Sequence, residues 1–379
     1  MQGMGDATRL AVFSVVALAA MAGASSVSHA QTWVPEYAFN GDIRLRDETI
    51  GQQFAAQRHR DRIRARAGVT AKVHDTLRAQ VELATAEGND PRSMNVTLSD
   101  LNSLHDIDLN LAYVEWAAGE HWKLTAGKMR QPWVRAGQSV LIDADINPRG
   151  VAVNWAQRDW FAVGFHEWVR RGSAGDRGTV SGGQFGWRRA YGDARVTLGA
   201  GYYDYASVRG NDPFFSGSNG NTTGAAPCRS NVAACLTQDY DIAQVFAEWS
   251  RPLAGHPLAL YVDVMNNRAA RNGRDLAWSA GASYGKASDA RTWEIGYLYQ
   301  HVGKDAVFGQ WIDSDFGDGR TDARGSIVKL GYAPVKNWAL NVSYQFSDTN
   351  IDAPATVAGV GPVFNRDYTR LQVDLNYRF

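Results

Sequence analysis

Hydrophobic and polar positions alternate with a period of two along most of this chain. In 60–73 the even positions carry Arg60, Arg62, Arg64, Arg66, Thr70 and Lys72. The odd positions carry Ile63, Ala65, Ala67, Val69, Ala71 and Val73. Successive side chains of a strand point to opposite faces, so this segment reads as a strand with one wet and one dry face. A helix would scatter the arginines around its circumference. The last segment, 368–379, repeats the pattern: Leu371, Val373, Leu375, Tyr377 and Phe379 alternate with Arg370, Gln372, Asp374, Asn376 and Arg378. So does 338–346, with Trp338, Leu340, Val342, Tyr344 and Phe346 on one face. Further strands are predicted over 37–47, 77–87, 107–117, 121–129, 150–156, 160–168, 181–189, 194–205, 240–250, 258–266, 276–285, 292–302 and 325–333. That makes about sixteen strands.

The connectors sharpen the picture. Some are tight: His74-Asp75, Gln157-Arg158, 190–193 and 334–336. Others are long and polar: 48–59, 88–106, 130–149, 169–180, 206–239, 267–275, 303–324 and 347–367. Short and long alternate. That is the habit of an all-β, transmembrane, antiparallel up-and-down β-barrel with short periplasmic turns and long extracellular loops. A β-sandwich has no reason to alternate loop length so regularly. Trp116, Trp122, Trp155, Trp160, Trp187, Tyr191, Trp249, Trp293 and Trp338 lie beside the short turns, and Tyr202, Tyr203, Tyr205, Tyr299 and Tyr344 nearer the long loops. Amphipathic rings favour a bilayer interface, so two such clusters predict two belts.

The N-terminus sets the compartment. Arg9 precedes an apolar run from Leu10 to about Ala22, followed by Ser25-Ser26-Val27-Ser28-His29-Ala30. Residues 1–30 therefore read as a cleaved signal peptide, and 31–379 as a single barrel domain. The alternative, a single membrane anchor, suffers because the run is shorter than the ~18–20 residues a helix needs to span.

Composition fits this reading. The chain has 379 residues, 45% apolar and 21% charged, with 13 Trp, 15 Tyr, 14 Phe and 38 Gly. It is too apolar and aromatic for disorder, and two cysteines cannot make a disulfide scaffold. Lys plus Arg and Asp plus Glu both number 39, so no net basic charge points to nucleic acid.

Several blocks resemble the putative porin family of Gram-negative outer membranes. They are Gly41-Asp42-Ile43-Arg44-Leu45-Arg46, then Arg62-Ile63-Arg64-Ala65-Arg66-Ala67-Gly68, then Leu111-Ala112-Tyr113-Val114-Glu115-Trp116. Gly127-Lys128-Met129-Arg130-Gln131-Pro132-Trp133 and Asp143-Ala144-Asp145-Ile146-Asn147-Pro148-Arg149-Gly150 follow in family order. The ending Leu375-Asn376-Tyr377-Arg378-Phe379 resembles the terminal strand signal by which the barrel assembly machinery recognises such proteins. The resemblance implies a passive pore for small hydrophilic solutes or ions, needing no cofactor and no metal. The pore would sit among outer-membrane lipids and lipopolysaccharide, and would assemble as a homotrimer or stand as a monomer. The N-terminal coiled-coil segment of some members is missing.

Candidate chemistry lies on the pore wall. Arg60, Arg62, Arg64 and Arg66 share one face of their strand, and Arg44 and Arg46 have the same parity on the strand before. Lipid-facing arginine costs about 2–4 kcal/mol at the bilayer midplane, so these six are expected to point inward as a ladder that attracts anions. The competing reading is a network neutralised by neighbouring acids, with Asp42 and Glu82 the candidates. Loop 130–149 is the third long loop. In general porins the third loop narrows the barrel, so resemblance makes it the candidate constriction, with Arg130, Arg135, Asp143, Asp145 and Arg149. Acids on it facing an arginine wall would set up a transverse field; an ordinary surface loop is the alternative.

Cys228 and Cys235 lie in the longest loop and, in an oxidising compartment, are expected to form a disulfide. Asp313, Asp315, Asp318, Gly319 and Asp322 resemble a calcium loop, but Arg324 stands where an EF-hand has its bidentate glutamate. They read as a solvated loop, with a calcium or lipopolysaccharide-bridging site as the alternative.

Two other functions compete. An outer-membrane hydrolase finds one formal G-x-S-x-G match, Gly281-Ala282-Ser283-Tyr284-Gly285, but inside a strand with no helix after it. His166 and Glu167 are adjacent, and a strand sends neighbours to opposite faces. A plugged structural or adhesive barrel would need a plug, and the sequence shows no separate plug domain.

Overall fold

The computed structural model describes residues 34–379, apart from Asn89, 99–104, 172–176, 215–216, 226–227 and 229–233. The signal-peptide reading of 1–30 lies outside the described residues.

Sixteen long strands follow one another. They are β1 (Glu36–Gln52), β2 (Arg58–His74), β3 (Leu77–Ala86), β4 (Asp106–Ala117), β5 (Trp122–Lys128), β6 (Arg149–Gln157), β7 (Trp160–Arg171) and β8 (Arg177–Tyr191). Then come β9 (Ala194–Ala206), β10 (Tyr240–Leu253), β11 (His256–Asn267), β12 (Leu276–Gly285), β13 (Thr292–Val302), β14 (Ala323–Ala333), β15 (Trp338–Thr349) and β16 (Arg366–Arg378). Each pairs antiparallel with its sequence neighbour, and β16 pairs antiparallel with β1, from Asp42↔Arg378 to Gln52↔Tyr368. The sheet therefore closes on itself and has no free edge, as a bilayer demands of any strand structure.

The alternation read from the sequence becomes an inside and an outside. On β1, Tyr37, Phe39, Ile43 and Leu45 are exposed on the outer surface, while Asp42, Arg46 and Glu48 are buried inside. On β16, Leu371 and Leu375 face out, while Arg370, Gln372 and Asp374 face in. Trp122, Trp160, Trp293 and Trp338 are exposed at the ends of their strands, beside the short turns where a belt was expected. Tyr202 and Tyr344 are also exposed, but Tyr203 and Tyr205 are buried inside. Parity explains the correction: Tyr202 and Tyr203 are adjacent, so only one of them can reach lipid.

Strand ends also moved. The first connector shrinks to 53–57 because β1 and β2 stay paired out to Ile50↔Arg58. The other large shift is inside the barrel. The inner wall from β6 to β13 carries an apolar cluster that includes Val163, Phe165, Val180, Tyr203, Tyr205, Tyr240, Ile242 and Met265. It packs against Trp133, Leu141 and Ile146 of one loop and Val307, Phe308, Trp311 and Ile312 of another. That side of the lumen thus carries a packed apolar cluster. The wall from β14 through β16 to β4 is more polar, with Arg46, Glu48, Arg62, Arg64, Glu82, Arg370 and Asp374 buried along it.

Candidate functional site: a charged slot beside two inserted loops

Gly127 takes φ 126°, a conformation open to glycine, one residue before β5 ends and the chain turns inward. The loop 129–148 then crosses the lumen. Val134 N donates to Gln184 of β8 at 2.8 Å, and Gly137 N to Glu248 of β10 at 2.8 Å. Ser139 Oγ donates to Asp263 of β11 at 2.8 Å, and Gln138 to Glu294 of β13 at 2.9 Å. Asn147 donates to Asn110 of β4 at 2.7 Å. Partners spread from β4 to β13 can be reached only from inside.

A second loop, 303–322, lies against it. Asp143 N donates to the Trp311 carbonyl, and Ser314 N to the Asp143 carboxylate, both at 2.8 Å. Trp133 stands between Phe165, at 4.9 Å, and Trp311, stacked at 6.4 Å. The expectation of a solvated loop at 313–322 is therefore overturned. Val307, Phe308, Trp311, Ile312 and Phe316 are buried with it, and Asp318 alone of its four acids is exposed. Among the described residues no cluster of His, Cys, Asp and Glu is arranged to hold a metal.

The arginines of the ladder do face inward, and they are paired. Asp42 accepts from Arg64 at 2.8 Å and from Arg66. Arg46 makes a two-pronged contact with Asp374 at 2.6 and 2.8 Å, and reaches Asp315 at 3.2 Å. Arg60 pairs with Glu48, and Arg62 donates to the Asn95 carbonyl and stands 3.7 Å from Glu87. Arg44 donates to Asn95 at 2.6 Å, with Asp374 4.0 Å away. Arg370, absent from the sequence-derived ladder, binds Glu48 and also Asp315 at 2.7 Å. Counting Asp145, 3.9 Å from Arg64, seven guanidiniums meet six carboxylates. Glu82, the other acid expected here, instead takes Arg130 at 3.3 Å and Asn110 at 2.6 Å.

The loop residues divide. Asp143 sits where the two loops meet, Asp145 N donates to its carboxylate at 2.8 Å, and Arg135 closes its own loop on the Ser139 carbonyl at 2.6 Å. Arg149 does not belong with them. It opens β6, is exposed, and donates to the Trp168 carbonyl at 3.4 Å, while Gly150 and Ala152 hold the inward parity. Burial, then the charges of Asp313 and Asp145, push the Asp143 carboxyl well up. Burial and Asp315 raise Asp313 as well. Burial also works against Asp315, but Arg370, Arg46 and Gln372 outweigh it and hold that carboxyl below the ordinary range.

Between the loops and the polar wall runs a cavity of about 550 Å³. Arg46, Asp374, Gln345 and Lys329 line it from the strands, Val140, Asp313 and Asp315 from the loops, and Lys286 and Arg378 lie toward the short turns. Cys228 and Cys235 are disulfide-bonded, Cα to Cα 5.6 Å, in the loop after β9. Ser283 of the G-x-S-x-G match lies mid-ladder between Ala259 and Gly296, with none of the sharp strand-to-helix turn that motif needs. His166 bonds Ser181, while Glu167 points the other way and is buried.

A family model described as putative porin matches residues 51–235 and 237–379. The chain belongs to the putative porin family. Among solved structures, this porin is similar to Pseudomonas putida OprB at high pH, with 12% identity, 90% of this chain and 94% of that chain covered, and a TM-score of 0.61. It is also similar to an anion-selective porin from Comamonas acidovorans, at 11% identity, 91% and 100% coverage and a TM-score of 0.51. A trimer form of Vibrio cholerae OmpT gives 14% identity, 92% and 100% coverage and a TM-score of 0.51. At such identities these structures share the fold. No curated protein matches the chain. The porin is an outer-membrane β-barrel.

The sequence-derived list of pore residues lacked Arg370, Asp374 and Lys329, and Asp315 was read only as part of a solvated acidic loop. The first two carried a signal: the parity of 368–379 puts them on the wet face beside Arg46.

Proposed function

We propose that this porin is a non-enzymatic pore for passive diffusion of small hydrophilic solutes, with its constriction set by loops 129–148 and 303–322. The observation that carries this is the polar cavity between those loops and the strand wall, lined by both signs of charge. Of the six ladder arginines Arg46 lines this cavity, and the charge of the six is largely offset by carboxylates. The expected anion preference is therefore modest, on the order of the one-charge surplus in the network. The disulfide restrains the long extracellular loop, and the outer surface of the barrel suits packing into a homotrimer, with lipopolysaccharide around it. The ending Phe379 is the handle for barrel assembly.

Purified protein in a planar lipid bilayer should produce discrete conductance steps. Folded protein that never conducts would instead establish the plugged-barrel reading, which draws its support from the apolar cluster filling the β6–β13 side.

A further inference from the structure

We propose that Lys329, Gln345 and Asp313 form a solute-binding subsite inside the channel, and that the solute it takes is a small hydroxycarboxylate. This rests on the pore reading above.

Register defines the subsite. Lys329 of β14 stands opposite Gly296 of β13 on one side and Ser343 of β15 on the other, and Ser343 stands opposite Gln372 of β16. Gly331, two residues along from Lys329, stands opposite Asn341. Two glycines therefore leave the wall bare around one lysine. The space they leave is closely bounded: a Cβ on Gly331 would lie 3.1 Å from Asn341 Oδ1, and one on Gly296 3.2 Å from Gln138 Oε1. Asp313 faces this patch from the inserted loop, and it lines the same cavity as Lys329, Gly331, Asn341, Ser343 and Gln372.

What separates this patch from the ion pairs around Asp315 is unmet bonding. Arg46, Arg370, Asp374, Glu48 and Asp315 saturate one another. No described residue accepts a hydrogen bond or ion pair from Lys329. Gln345 is 2% exposed, and its Oε1 has no donor. Asp313 Oδ1 accepts from the backbone N–H groups of Asp315 and Phe316, while its Oδ2 accepts from no described residue. The patch thus offers one unpaired cationic donor and two unpaired acceptors.

Buried polar groups cost free energy until they are partnered, so the complementary solute has the opposite inventory. A carboxylate answers Lys329, and hydroxyl groups on the same molecule donate to Gln345 and Asp313. A simple anion would leave both acceptors empty. A neutral sugar would leave the ammonium without a counter-charge. A cavity of about 550 Å³ admits a six-carbon acid with water around it.

The test titrates gluconate, acetate and glucose against ion current through the full-length protein in planar bilayers. Gluconate should interrupt the current with half-saturation at least about tenfold below that of acetate or glucose. Lys329→Met should raise the gluconate value at least about tenfold, Lys329→Arg should keep it within about threefold, and Gln345→Leu should raise it several-fold. If Lys329→Met fails to insert, Lys329→Arg and Gln345→Leu carry the comparison alone. A gluconate response unchanged by these substitutions overturns the subsite, as does acetate matching gluconate. A conducting channel blind to gluconate overturns the subsite and leaves the pore reading standing; a protein that never conducts overturns both.

Discussion

Asp315→Asn is the sharpest probe of how the lumen is built. The carboxylate receives Arg46 at 3.2 Å, Arg370 at 2.7 Å and Gln372 at 3.0 Å, tying an inserted loop to the seam between β16 and β1. Hydrogen bonds to charged groups contribute about 1.5–3 kcal/mol each. The loss is smaller than their sum, because Arg46 keeps Asp374, Arg370 keeps Glu48, and the new amide oxygen still accepts one bond. We expect destabilisation of about 2–4 kcal/mol, short of the ~3–5 kcal/mol that follows when a buried charge loses its last partner. The electrostatic consequence can be estimated separately. An ion passing roughly 6 Å from that site feels about 0.7 kcal/mol per unit charge in bulk water, and more in a narrow pore. Removing the charge should therefore raise the chloride-to-potassium permeability ratio about threefold or more at low salt, with the effect shrinking as ionic strength rises. Reversal potentials in a potassium chloride gradient measure it, and urea unfolding measures the stability term. An unchanged ratio, or a shift toward cations, would refute the claim that Asp315 borders the conducting path.

Two further expectations follow from the same geometry. Trp133→Ala removes the ring between Phe165 and Trp311, so it should cost about 3–5 kcal/mol at the loop anchor and widen the pore, seen as larger and noisier single-channel current. The acids where the loops meet titrate in opposite senses. Asp143 and Asp313 are raised, so their contribution is fully present below the ordinary carboxylate value and is lost as pH climbs through their folded values; Asp315 is lowered, so its contribution persists until pH falls well below that range. Current noise from loop motion should therefore fall as pH is lowered from alkaline toward mildly acidic, and Asp143→Asn should flatten that dependence.

Sixteen strands were legible because the bilayer makes the period-two rule nearly absolute: a lipid-facing arginine is too costly to tolerate. The same rule, applied one residue at a time, would have kept Tyr203 and Tyr205 out of the belt. The loops obey no such rule. Segment 313–322 was read through its acids as solvated, although Trp311 and Ile312 come just before it and Phe316 stands among its acids, all three buried. In a loop, apolar residues without periodicity reveal burial but not against what. Whether the arginines form a charged ladder or a neutralised network could not be read either. Asp42, a strand neighbour, was foreseen as their partner, but Asp315 comes from nearly 270 residues away in the chain. Lys329 was illegible for a related reason: its significance lies in what fails to touch it.

The ion pairs that shape the lumen also join the two ends of the barrel. Arg46 to Asp374 and Glu48 to Arg370 span 328 and 322 residues of sequence. Contacts so remote in sequence carry the largest loop-closure cost, so we expect them to form last. Until that event, β1 and β16 present unpaired backbone groups to hydrocarbon, which is the least tolerable state for a strand edge. Those guanidinium–carboxylate pairs therefore clasp the seam whose pairing closes the barrel, and on the proposed pore reading the same pairs meet the solute. A substitution chosen to retune selectivity at this seam will also change how fast the barrel closes.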